Sequence, residues 1–307
     1  MKRSIFLLFA IVSVAGMIAI SGCKMLDGES YTVTFDANGG EGNMPSQIFF
    51  EGNESALYVN EFTREGYSFA GWNTMQDGTG TAYTDKQRIT VVADMTLYAQ
   101  WSTTGTLNGH NYVNLGLPSG TLWATCNVGA TTPEEYGDFF AWGETVPKST
   151  YHFRTYKYCN GSETALTKYC SNAEYGYNGF TDNLTTLEAC DDAATANWGA
   201  GWRMPTEEEF EELRNNCTMT WTTQNGEKGR LFTGPNGSTI FLPAGGYYGD
   251  QKDHGFAGSF GDYWSSSLYT GEQYRSVTLS FNSSDSWEDN GLRCLGLSVR
   301  PVCQSQN

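Results

Sequence analysis

A chain of 307 residues with 34 acidic against 18 basic side chains carries a formal charge of −16. A surplus of that sign excludes nucleic acid as a partner, because binding it rests on neutralising phosphates with Lys and Arg. Aromatic residues at 14%, 36 glycines and only 17% charged residues describe a folded, turn-rich, β-leaning protein rather than a disordered one, with room for about two domains.

The chain opens on Lys2 and Arg3, runs through an almost uninterrupted apolar stretch from Ile5 to Ile20, and reaches Ser21, Gly22 and Cys23. That is the order of a signal peptide, and an apolar run of about 16 residues is shorter than the roughly 20 a spanning helix needs. Ile20-Ser21-Gly22-Cys23 resembles the lipobox of bacterial lipoproteins, in which the cysteine is diacylated and becomes an acylated N-terminus. The resemblance implies that residues 1–22 are removed and that the membrane is a partner through a lipid anchor at Cys23. The protein would then be exported, to the outer membrane or onto the cell surface. Residues 23–30 would form a tether, and Asp27 and Glu29 resemble the acidic tether of surface lipoproteins in the Bacteroides group. Losing Lys2 and Arg3 leaves 16 basic against 34 acidic residues, a charge of −18.

Tyr31, Val33 and Phe35 alternate with threonines, which predicts a strand with one buried face. Asp36-Ala37-Asn38-Gly39-Gly40 supplies the turn after it, and further strands are expected over Arg64–Asn73 and Asp94–Trp101, with Leu97, Ala99 and Trp101 on one face. Val33–Gly40, Gly66–Asn73, Asp77–Thr81 and Thr96–Trp101 resemble the Listeria–Bacteroides repeat, in that order, over residues 31–101. The resemblance implies a β-grasp-like module that serves surface proteins as a spacer. Residues 102–106, Ser-Thr-Thr-Gly-Thr, are expected as a short flexible linker.

Beyond the linker, Thr206 is placed to cap a helix to Cys217, with Glu209 completing a T-x-x-E capping box and Phe210, Leu213 and Cys217 on one face. The run Glu207, Glu208, Glu209, Glu211 and Glu212 reads for the most part as a solvated face. A second helix is expected over Leu187–Trp198. Val277, Leu279 and Phe281, then Leu295, Leu297 and Val299, alternate with polar residues around an Asn282–Asp285 loop, which predicts an antiparallel pair closing the domain.

Asn108-Gly109-His110, Tyr112–Gly120, Trp123–Ala130, Phe140–Glu144, Gly201–Phe210, Tyr263–Ser267 and Gly296–Val302 resemble the Fibrobacter succinogenes major paralogous domain across residues 107–303, leaving 304–307 as a tail. Trp202–Glu207, preceded by Asp192-Ala193-Ala194, is similar to formylglycine-generating proteins. These resemblances imply a C-type lectin-like fold of two helices and small antiparallel sheets. The whole chain is therefore expected to be α+β, a β-grasp-like repeat module followed by a C-type lectin-like domain.

Catalytic chemistry finds little support. The run Gly258-Ser259-Phe260-Gly261 lacks the G-x-S-x-G elbow because residue 257 is Ala, and the three histidines are scattered. Cys294 and Cys303 could be compared with the copper-holding cysteines of formylglycine-generating oxidases, but the Gly-Gly-Ser-Trp stretch of those enzymes is missing. Beyond the lipidated Cys23, seven cysteines remain, without C-x-x-C spacing. No cofactor is expected; Asp191 and Asp192 could bind calcium, as C-type lectin-like folds sometimes do, but no calcium-binding loop motif is recognisable here.

What remains is recognition. Tyr247, Tyr248, Tyr269, Tyr274, Asp285 and Trp287 lie amid Gly, Ser, Asn and Asp, the composition of adaptable binding surfaces, with Trp287 expected in a polar loop over Ser283–Asn290; the family resemblance implies core or support positions for Tyr263 and Trp264. The expected function is a non-enzymatic, lipid-anchored binding protein with the repeat as spacer and a glycan or protein as ligand. A structural envelope component, and more remotely an oxidase, are the alternatives.

Overall fold

The computed structural model describes residues 28–64, 67–249 and 254–304; the expected signal peptide and Cys23 lie outside them. The first module contains strands β1 (Ser30–Asp36), β2 (Gln47–Phe50), β3 (Glu54–Ala56), β4 (Ser68–Asn73), β5 (Ala82–Tyr83), β6 (Arg88–Thr90) and β7 (Met95–Ser102). Its main sheet has the order β2-β1-β7-β4-β5, with the first and last strands side by side and parallel. Alternation does the folding: Val33, Phe35, Leu97 and Ala99 turn to one face and are buried with Phe49 and Trp72. The β1 exit is set by an Asx turn, in which the Asn38 amide donates to Asp36 Oδ1 at 2.7 Å. Asn38 and Gly39 follow at φ 46° and 83°, angles that Asn and Gly adopt at least cost.

The stretch expected as a flexible linker is mostly strand. Only Thr103 separates β7 from β8 (Thr104–Leu107), and its carbonyl accepts from the Asn114 amide at 2.5 Å. Small polar side chains suit an edge strand as well as a loop, and a side chain at Gly105 would strike the Tyr112 ring across the pair. Strands β9 (His110–Asn114) and β10 (Leu122–Ala124) continue this sheet, and β21 (Val302–Cys303) closes it in the order β21-β10-β9-β8. The beginning and end of the second module thus meet.

Between them lie β11 (Phe139–Phe140), helices α1 (Ala193–Trp198) and α2 (Glu207–Asn216), and the strands β12 (Thr218–Gln224), β13 (Glu227–Thr233), β14 (Thr239–Pro243), β15 (Tyr247–Tyr248), β16 (His254–Gly255), β17 (Phe260–Leu268), β18 (Arg275–Asn282), β19 (Ser286–Leu292) and β20 (Leu297–Ser298). They make sheets of order β12-β13-β14 and β11-β20-β17-β18-β19, with a small β15-β16 hairpin. Two buried clusters hold them: one around Trp142, Trp202 and Trp264, the other around Trp123, Phe210 and Phe281. The chain is mainly β, with two short α-helices among the described residues.

Helix α2 follows its sequence. Thr206 accepts from the Glu209 amide, the Glu209 side chain accepts from the Thr206 amide, and Phe210 and Leu213 face the core. Glu209 departs from the solvated face: its carboxylate takes both Arg203 nitrogens at 2.6 Å and the Thr121 hydroxyl at 2.9 Å. Burial alone would raise that carboxyl, and the Arg203 guanidinium outweighs it and holds it below the usual range. The helix expected over Leu187–Trp198 is shorter, a 3-10 turn at Ala189–Asp191 followed by α1 from Ala193. The closing pair is also different. Strand β18 pairs with β19 around the 283–285 loop, whereas Leu297 lies in a strand running parallel to β17.

Candidate functional site

Strands β17, β18 and β19 place residues in register, so directly opposed side chains share a face. Asp262 stands opposite Ser280 and Ser280 opposite Trp287; Trp264 stands opposite Thr278 and Thr278 opposite Asp289. Ser280 Oγ donates to Asp262 Oδ1 at 2.5 Å, and Trp287 Nε1 donates to Asp289 Oδ2 at 3.3 Å. Trp287 therefore sits in a strand rather than in the loop expected for it, because Ser286–Leu292 completes the ladder that β18 would otherwise present as an open edge. It remains half-buried, its ring edge-on to Phe260 at 5.4 Å between centroids.

From Phe260 a chain of rings runs outward, to Phe256 at 6.4 Å and from Phe256 to Tyr247 at 5.9 Å. Phe256 is 62% exposed and stands at φ 62°, a strained conformation for a bulky residue. Its carbonyl is pinned by the Ser259 and Phe260 amides, each at 3.0 Å. The strand and turn together produce an aromatic ridge of Tyr247, Phe256, Phe260 and Trp287 with Asp262 and Asp289 beside it.

The ridge unites two of the expected residues, Tyr247 and Trp287, and adds Phe256 and Phe260, which the sequence reading passed over. An unpaired large apolar residue between Gly255 and Gly258 was the available signal. Tyr248, next in the strand, turns the other way, edge-on to Phe139 at 4.8 Å and lining a cleft of about 950 Å³. Tyr269 and Tyr274 belong elsewhere: Tyr274 packs on Tyr175 at 5.5 Å, and Tyr269 folds over Gly271. Asp285 is exposed in the 283–285 loop and accepts from the Ser286 amide at 2.7 Å. Tyr263 and Trp264 are wholly buried.

The carboxylates considered for calcium are committed to the fold. Asp192 accepts from the Thr195 and Met204 amides at 2.9 and 2.8 Å. Asp191 takes the Lys168 ammonium at 2.6 Å, Lys157 at 3.2 Å, and the hydroxyls of Tyr158 and Tyr169. Burial opposes its charge, but these donors hold its carboxyl well below the usual range. Glu188, Cys190 and Asp191 cluster closely enough to hold a metal, yet Lys168 already bridges both carboxylates. Cys294 and Cys303 are buried free thiols, each pushed up to about 12 by burial, far from the thiolate that copper or redox chemistry uses. Ser265 and Ser266 donate to the Val277 and Pro205 carbonyls.

Asp262 is the acid at the ridge whose state is set by its surroundings. Burial, and after it the charge of Asp289, push its carboxyl up to about 7 against the opposing Ser280 hydrogen bond. Between about pH 4 and this value the folded protein keeps a proton the unfolded chain has released, so this residue costs stability increasingly as pH rises through that window. Asp262→Asn is expected to leave the melting temperature unchanged at pH 4 and raise it at pH 8. An equal gain at both values in paired thermal melts would refute the assignment.

Among known proteins, residues 31–100 match the Listeria-Bacteroides repeat domain, and that part of the chain is such a repeat. Over 75 residues the chain is 33% identical to a "Putative Gly-rich membrane protein" of Evansella cellulosilytica, a stretch covering 23% of this chain and 9% of that protein. No solved structure matches the chain.

Proposed function

We propose that this protein is an exported bacterial lipoprotein, anchored in the outer membrane through Cys23, that binds a glycan or protein ligand at the cell surface. The Listeria–Bacteroides repeat acts as a spacer, and residues 107–303, read as a Fibrobacter succinogenes major paralogous domain with a C-type lectin-like fold, act as the recognition module. The lipobox at Ile20–Cys23 supports the anchor, and so does the membrane-protein name of the relative that shares the repeat-length stretch. Among the described residues no helix is long and apolar enough to cross a membrane.

The observation that carries the binding reading is the aromatic ridge. A purely structural component gains nothing by holding Phe256 62% exposed in a strained conformation, whereas recognition surfaces place rigid rings among short polar side chains. The test is a glycan and protein array probed with the full chain, followed by Phe256→Ala and Trp287→Ala against the ligand found. A central ring of this kind is expected to lose about 2 kcal/mol of binding, roughly 30-fold, with little change in melting temperature. Normal affinity combined with a melt several degrees lower would make these rings lids on the module's own core.

A further inference from the structure

On the other side of the Tyr247–Tyr248 strand from the ridge lies the cleft of about 950 Å³, walled by the tyrosines 136, 151 and 248 and by four carboxylates, Glu134, Glu135, Asp138 and Glu227. We infer that this cleft binds a cationic side chain, the ammonium or guanidinium of a lysine or arginine on a partner protein. The inference rests on the reading of residues 107–303 as a recognition module and names the chemistry of its partner.

Three observations lead there. The wall is preformed, since the Asn225 side chain donates to Glu134 Oε1 at 2.8 Å and the Tyr136 hydroxyl donates to Glu227, tying the 134–138 loop to the turn before β13. Glu135 is held in the same way by the Thr131 amide at 2.6 Å and the Thr131 hydroxyl at 3.0 Å. These donors are neutral, so the carboxylates are oriented without losing their charge, and the same hydrogen bonds hold Glu134 and Glu135 below the usual carboxylate range. Among the described residues the lining holds one ammonium, that of Lys148, which donates to Glu144 at 2.8 Å and to the Thr155 carbonyl at 3.0 Å. It does not neutralise the wall.

An anionic ligand would be repelled by this charge. A neutral glycan would cover carboxylates without compensating them, and that desolvation is costly. A cation offsets the same charges and can rest against the half-buried rings of Tyr136 and Tyr248, most favourably as the planar, weakly hydrated guanidinium; the buried Tyr151 ring already carries the Lys148 ammonium at 5.5 Å.

The experiment uses the full chain in detergent, with penta-arginine, pentalysine and neutral cellopentaose as probes at physiological salt. Penta-arginine is expected to bind, and Tyr248→Ala and the pair Glu135→Gln with Asp138→Asn are each expected to weaken it at least tenfold. The Gln and Asn side chains keep the acceptor oxygens, so the loop holds even where Tyr248→Ala fails to fold. Glu41→Gln with Glu51→Gln removes the same charge from the first module and is expected to change affinity less than twofold. Equal weakening by both charge pairs would reduce the effect to the protein's overall acidity and overturn the inference, as would absence of penta-arginine binding or preferential binding of cellopentaose. Loss on Phe256→Ala with no loss on the cleft variants would move the site to the ridge, overturning the cleft while sparing the recognition reading.

Discussion

Arg300→Leu is expected to destabilise the protein by about 3–5 kcal/mol, a large share of the total for a typical domain. Arg300 has no exposure to solvent, and its guanidinium spans four neutral acceptors. Nε donates to Asn127 Oδ1 at 2.8 Å, Nη1 to the Ala124 and Thr125 carbonyls at 3.1 Å, and Nη2 to the Phe241 carbonyl at 2.9 Å. Leucine relieves the cost of a buried charge, but it strands three backbone carbonyls and an amide oxygen, which no second substitution can remove. Each orphan costs about 1–3 kcal/mol, so the loss outweighs the relief. Arg300→Lys keeps the charge but cannot span four acceptors with one ammonium, and is expected to fall between. Urea melts decide: a loss under about 1 kcal/mol for Arg300→Leu would mean that the pocket collapses or admits water.

Cys23→Ala is expected to abolish lipid attachment altogether. Two or three acyl chains, at ~0.8 kcal/mol per buried methylene, hold such a protein stably; among the described residues no helix is long and apolar enough to cross a membrane. Cys190 is an exposed thiol, but it follows Thr-Leu-Glu-Ala rather than an apolar run ending in Ser and Gly. Metabolic labelling with palmitate reads the outcome, and label retained on Cys23→Ala would refute the anchor.

Local signals in the chain translated well wherever a few neighbouring residues settle the outcome. The Thr206–Glu209 capping box and the apolar spacing of Phe210 and Leu213 define α2 within its own turns, and the β1 alternation and Asp36–Gly39 turn are equally local. Readings failed where a distant partner decided. Ser102–Thr106 has linker composition, yet β9 offers it a ladder and most of it becomes strand. Trp287 stands in a polar stretch with loop composition, and pairing with β18 makes that stretch a strand. Glu209, one of a run of glutamates, is drawn inward by Arg203.

By itself, then, the sequence determined the repeat at residues 31–100, the acidity of the chain, and the main helix with its caps, because each depends on composition or on contacts within a few positions. Tertiary structure alone decided which tyrosines meet. Consecutive strand residues point to opposite faces, so Tyr247 joins Phe256, Phe260 and Trp287 on the ridge while Tyr248 enters the cleft with Tyr151 and Tyr136. Those partners lie about 10 to 110 positions away along the chain, and only the β15 hairpin and the five-stranded sheet bring them together.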